Sequence, residues 1–145
     1  MTTKASNSAR SVVWSGRLVT LLGTGHTIGA LILTRHYFND WASGDLWDSS
    51  LDLHSPQPIL GAFFVSILSF GIPLLLFGLA ISWIGHQGLI PPPYVAWALA
   101  AWITICVALG GLSPLPLAFI SVATLLIAAH RQPRQLAGTA APVGR

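Results

Sequence analysis

The sequence predicts an all-α, polytopic membrane protein in which four transmembrane helices form a bundle, with both termini in the cytoplasm. Three observations carry that expectation. Of 145 residues, 53% are apolar and 8% are charged, against about 25% charged in an ordinary soluble domain. The apolar residues gather in four runs separated by breaker-rich segments, and the mean hydropathy is +0.69. The cations flank those runs and form no basic stripe, which excludes a nucleic-acid binder. A disulfide scaffold is excluded as well, because Cys106 is the only cysteine.

Residues 1–11 are small and polar and predict a flexible cytoplasmic tail ahead of a transmembrane domain over 12–130. A hydrocarbon core about 30 Å thick needs about 20 helical residues. The first span, 12–34, meets this if Arg17 reaches back to the interface, with Trp14 at headgroup depth. Its apolar part is long for a signal peptide and no small-x-small site follows closely, so a retained helix is expected. The second span, 59–84, has no charged residue and exceeds the core thickness, so it must tilt or bend. Pro73 predicts the bend, because it removes the bond to the Ser69 carbonyl, and Ser66 and Ser69 can serve backbone groups freed there.

GHQGLIPPP, residues 85–93, breaks the chain into a loop. The third span covers 94–112. GGLSP then makes a tight turn in which Ser113 suits an N-cap and Pro114 or Pro116 a first helical turn. The fourth span, 115–130, closes on His130, Arg131 and Arg134, and residues 131–145 predict a disordered cytoplasmic tail.

Lys4, Arg10 and Arg17 lie at the start of the first span, and Arg131 and Arg134 follow the fourth. Cations are retained inside, which places both termini in the cytoplasm. The loop at 35–57 then faces outward with Asp40, Asp45, Asp48 and Asp52, and Arg35 is the one cation that dissents. Within it, residues 45–53 taken as a helix separate the acids from Leu46, Trp47, Leu51 and Leu53, the pattern of a short interfacial helix. Three roles stay open for this loop: interfacial anchoring, a lid over a bundle cavity, or a cation site with His36 and His54. No ligand spacing defines a metal, so no metal site is assigned.

Small residues predict the packing faces, because helices in lipid associate by close backbone approach and polar contacts. They are Gly25-x-x-x-Gly29 in the first span, with Gly23 close by and Thr20, Thr24 and Thr27 among them, Ala96, Ala100, Thr104 and Ala108 in the third, and Ala118, Ser121, Thr124 and Ala128 in the fourth. The same faces suit a homo-oligomer.

His26 stands near the midpoint of the first span. At that depth the imidazole should be neutral and turned inward, and its two nitrogens suit either an interhelical hydrogen bond, to Thr104 or Thr124, or a polar ligand group. His26, Thr27, Trp102 and Thr104 are the candidate ligand-binding residues. A haem needs a second histidine at similar depth, and a thiol relay needs a second cysteine, so no cofactor is expected. Neither a nucleophile motif nor a phosphate loop is present, and no catalytic residue is assigned. The spans hold no carboxylate and no internal repeat, which weighs against ion-coupled transport.

GTGHTIG in the first span, GAFFVSILSFGIPLLLFG in the second, and GGLSPLPLAF at the third-to-fourth junction resemble a family of small bacterial four-helix integral membrane proteins known as a domain of unknown function. The resemblance covers about residues 14–130. It implies a multi-pass bundle in the bacterial cell membrane and implies no activity. The sequence therefore favours a non-catalytic module that binds a membrane partner or a lipophilic molecule. The alternatives are an intramembrane enzyme acting on a lipid or isoprenoid, with His26 in a polar or acid-base role, and an oligomeric small-molecule exporter.

Overall fold

The computed structural model of the chain describes residues 3–44, 46, 58–110 and 115–139. Helix α1 is Thr3–Thr34, followed by a single 3-10 turn at Arg35–Tyr37 and by α2, Phe38–Ser43. Then come α3 (Pro58–Ser66), α4 (Gly71–His86) and α5 (Pro93–Gly110). A second 3-10 turn at Leu115–Leu117 leads into α6, Ala118–Thr139. Among the described residues there is no strand. Over the described residues the fold is all-α, with four helical rods.

Two of these rods are long and apolar enough to cross a membrane: Asn7–Ser43, 37 residues, and Pro58–His86, 29 residues. The apolar parts of the other two, Pro93–Ala108 and Leu115–Arg131, are shorter.

Helix α1 is the hub, packed against α4 and α6, while α5 rests on α6. Val12 and Val19 of α1 and Leu74 and Ile81 of α4 are buried in one cluster with Leu99 and Ile103 of α5 and Val122 and Leu125 of α6. Helix α1 begins at Thr3, where a flexible tail to residue 11 was expected. Ser8 and Val12 are buried, so packing holds the helix from its second turn onward. Helix α6 likewise runs on, through Pro133, to Thr139 instead of ending at residue 130.

The second run is two helices, not one bent helix. Pro73 does not sit at a kink; it occupies the first turn of α4, behind the N-cap Phe70, where its missing N–H costs nothing. Its ring would clash with a helical Ser69 carbonyl, and the chain unwinds over residues 67–70. Both serines act there as expected. Ser66 Oγ donates to the Ala62 carbonyl at 2.6 Å, and Ser69 Oγ donates to the Ser66 carbonyl and accepts from Gly71 N–H.

The chain leaves α4 through Gly88, whose φ of 74° lies in the left-handed region that suits glycine. Gly88 N–H donates to the Gly85 carbonyl and Leu89 N–H to that of Ile84, a Schellman closure. The expected interfacial helix at 45–53, apart from residue 46, and the turn at Gly111–Pro114 lie outside the described residues.

The tightest packing uses glycines that are not Gly25 and Gly29. Beside those two nothing stands within 4 Å of a would-be Cβ. Gly16 and Gly23 of α1 instead face Gly71 and Gly78 of α4, each pair spaced by seven residues. A Cβ on Gly16 would lie 2.7 Å from the Gly78 carbonyl oxygen, and one on Gly23 would lie 2.7 Å from that of Gly71. Val13 meets Gly85 at one end and Thr27 meets Gly71 at the other, so α1 and α4 run antiparallel. A seven-residue period keeps such a seam facing its partner at a shallow crossing angle.

The expected stripe on α5 is also only half used. Ala96 is buried and Ala100 packs on the core, but Thr104 and Ala108 are exposed. The buried face is Ala96, Leu99 and Ile103. The α6 face holds as expected: Ala118, Ser121 and Ala128 are buried and Thr124 is half-buried. Ser15 and Thr124 join their hydroxyls, and Ser121 Oγ donates to the Ser15 carbonyl at 3.2 Å.

Candidate functional site

The unwound segment between α3 and α4 ends on Phe70, which lies at the centre of an aromatic group. The His26 imidazole stacks on the Phe70 ring with centroids 4.1 Å apart and planes inclined by 29°. Trp102 of α5 meets Phe70 edge-on at 5.5 Å. Three helical rods thus contribute one ring each, and such contacts add about 0.5–1.5 kcal/mol per pair beyond simple burial.

Gly71 makes room for this arrangement. A Cβ there would lie 2.9 Å from His26 Cδ2 and would strike Thr27 Oγ1. The Cδ2–Nε2 edge of the imidazole therefore faces the first residue of α4. His26 Nε2 is buried and has no hydrogen-bond partner. Leaving such an atom unpaired costs about 1–3 kcal/mol.

On the other side of Phe70, α4 and α5 part to form a cleft of about 480 Å³. Phe70, Pro73 and Phe77 form one wall, and Ala98, Leu99 and Trp102 the other. Its surface is almost entirely apolar, and exposed Pro73, Phe77 and Ala98 leave it open outward. The volume suits a small ligand or an acyl chain.

Of the four candidate residues, His26 and Trp102 meet through Phe70. Thr27 lies beside them but its hydroxyl donates to the Gly23 carbonyl at 2.9 Å. Thr104 does not join them: it is exposed and donates to the Ala100 carbonyl. Thr20, Thr24 and Thr34 are likewise bonded to carbonyls four residues back, the usual way a helical hydroxyl is satisfied. Thr124 bonds Ser15 and its own helix, so neither proposed threonine partner reaches His26.

Phe70 escaped the sequence reading because it sat inside an assumed continuous helix. Its signal was available: Pro73 disfavours helix at Ser69, and a helix restarted there puts the aromatic at its N-cap. The glycine seam had a signal too, the seven-residue repeat Gly71, Gly78 and Gly85, which a search for four-residue spacing passes over.

Among the described residues, no group of three His, Cys, Asp or Glu side chains could hold a metal. His36 is exposed and its ring lies tilted against that of Tyr37, while His54 lies outside the described residues.

Residues 10–133 match the family of unknown function DUF6463, and the chain belongs to that family. None of the curated proteins and none of the solved structures compared with the chain matches it.

Proposed function

We propose that the chain is a four-span bundle of the bacterial cell membrane that binds a lipophilic molecule in the cleft between α4 and α5. The observation that carries the binding is the cleft itself: an apolar space walled by two helices and open toward the outside of the bundle, where a lipid-soluble molecule can enter sideways.

The bilayer is favoured by what covers the outside. Leu33, Leu68, Leu76, Ile105 and Ile120 are all more than half exposed. Only 22% of the most apolar window in each long rod is buried inside the protein, unlike the core helix of a soluble domain. Such surfaces call for an apolar solvent.

Both termini are assigned to the cytoplasm. Val13 packs on Gly85, so Arg10 and His86 share one end of the bundle, and Arg17 lies 5.5 Å from the Trp14 ring on the exposed surface there. That pairing suits a headgroup layer.

The enzyme reading has less to draw on, because no side chain among the described residues hydrogen-bonds His26 to make an acid-base pair. Export by an oligomer, and docking of a second copy or another membrane protein, would appear as bound protein chains in the test that follows.

Native mass spectrometry of the chain, extracted in mild detergent, should show a retained lipophilic mass. Ala98→Trp, which fills the cleft from an exposed position, should lose it. An extracted wild-type chain carrying no small molecule, or an Ala98→Trp chain carrying the same one, overturns the reading. Reporters fused to the two ends should both report the cytoplasm, and a report from opposite sides overturns the topology.

A further inference from the structure

We propose that His26 Nε2 is the polar end of the ligand site, and that the ligand is an apolar chain bearing one O–H group that donates to this nitrogen. The proposal deepens the lipophilic-cleft reading and rests on it.

Three observations bring the nitrogen and the cleft together. His26 Nε2 is buried without a partner, whereas the neighbouring Thr20, Thr24 and Thr27 hydroxyls are bonded to their own helix. Among the described residues, His26 Nε2 is therefore the buried side-chain polar atom left without any partner. The ring edge that carries Nε2 packs closely on Gly71, so that side is shut and the remaining way to the nitrogen is past Phe70. Between this nitrogen and the cleft stands Phe70, which lines the cleft and stacks on His26.

Phe70 is the first residue ahead of α4, in the unwound stretch, so its side chain is not wedged into a continuous helix. Turning it aside joins the cleft to Nε2. An amphiphile can then lay its chain between Phe77 and Trp102 and bring its hydroxyl to the imidazole. The acceptor must be neutral, and an uncharged imidazole has one such nitrogen. A plain hydrocarbon gains nothing at His26, so the site discriminates for the O–H group.

The test uses the full chain in detergent with tetradecanol and its methyl ether, which share a chain and differ in the O–H. The alcohol should bind about fivefold more tightly than the ether, the worth of one ordinary hydrogen bond. His26→Phe keeps a ring against Phe70 and should abolish that preference. On the unaltered chain, nitrogen NMR of the imidazole should show the His26 resonance move with the alcohol and stay in place with the ether. This second measurement decides the matter if His26→Phe fails to fold.

Equal binding of alcohol and ether, or an alcohol preference that survives His26→Phe, overturns the assignment of His26 and leaves the cleft standing. Binding of neither probe overturns the cleft, and this proposal with it.

Discussion

Gly16 and Gly78 are reciprocal: a Cβ on either would lie 2.7 Å from the other's carbonyl oxygen. The two backbones approach so closely that each carbonyl occupies the place of the opposite side chain. Approach of this kind brings Cα–H groups against carbonyls across the interface, a weak but recurrent stabilisation. It also fixes the register of α1 on α4, and with it the height at which His26 meets Phe70.

Gly78→Ala should therefore destabilise the bundle. The new methyl would strike the backbone of Thr20 as well as the Gly16 carbonyl, and neither can retreat without parting the helices. A loss of about 1–3 kcal/mol is expected, the range for overpacking a close-packed interior. Thermal unfolding in detergent measures it, and an unchanged melting temperature would show that the seam is looser than its geometry.

Gly25→Ala and Gly29→Ala should behave in the opposite way. A Cβ added at either position would meet nothing within 4 Å beyond its own stretch of helix, and alanine is favoured over glycine inside a helix by about 1 kcal/mol. Neutral or slightly raised stability is expected in the same melt. A clear loss would mean that another chain packs there, and cross-linking of a cysteine placed at residue 25 would then reveal the neighbour.

The contact of α1 with α6 predicts a measurable coupling. Ser15 and Thr124 share a hydrogen bond, and the Ser15 carbonyl also accepts from Ser121. A cycle of Ser15→Ala, Thr124→Val and the double variant should give a coupling of about 0.6 kcal/mol, the mean for side-chain hydrogen bonds between membrane helices. Additive losses would mean that each hydroxyl is content with its own helix, since both also bond to backbone carbonyls.

The positions of the rods could be read from the sequence because charge scarcity and breaker clusters act over long stretches. Leu18 to Leu33 or Tyr94 to Ala108 can hardly be anything but apolar helix. The break at residues 67–70 was less accessible. Pro73 fixes only which carbonyl cannot be helical, and whether a helix kinks there or restarts depends on the bonds that Ser66 and Ser69 find. Packing faces were harder still. Gly25-x-x-x-Gly29 and Gly16 with Gly23 are equally attractive as text, and the choice between them is made by the complementary Gly71 and Gly78 on another helix. The candidate site was half legible for the same reason. His26 stood out as an imidazole among apolar residues, yet its neighbour across the interface is an ordinary phenylalanine whose importance comes from where the helix break puts it.

Trp102 supplies the last prediction, because it belongs both to the cleft and to the aromatic group. Its ring walls the cleft and meets Phe70 edge-on, whereas Trp97, five residues earlier on α5, is 61% exposed and touches neither. Trp102→Ala should weaken binding of an apolar probe such as tetradecanol. It should also cost stability through the lost wall and the lost edge-to-face contact, about 0.5–1.5 kcal/mol for the contact alone. Trp102→Phe keeps an aromatic edge and should recover part of both. Trp97→Ala should leave probe affinity unchanged, which controls for the general loss of an indole from the protein surface. Titration of the three variants beside wild type in one detergent separates these outcomes. If Trp97→Ala weakens the probe as much as Trp102→Ala does, the probe is partitioning onto the outer surface, and the cleft is not where it binds.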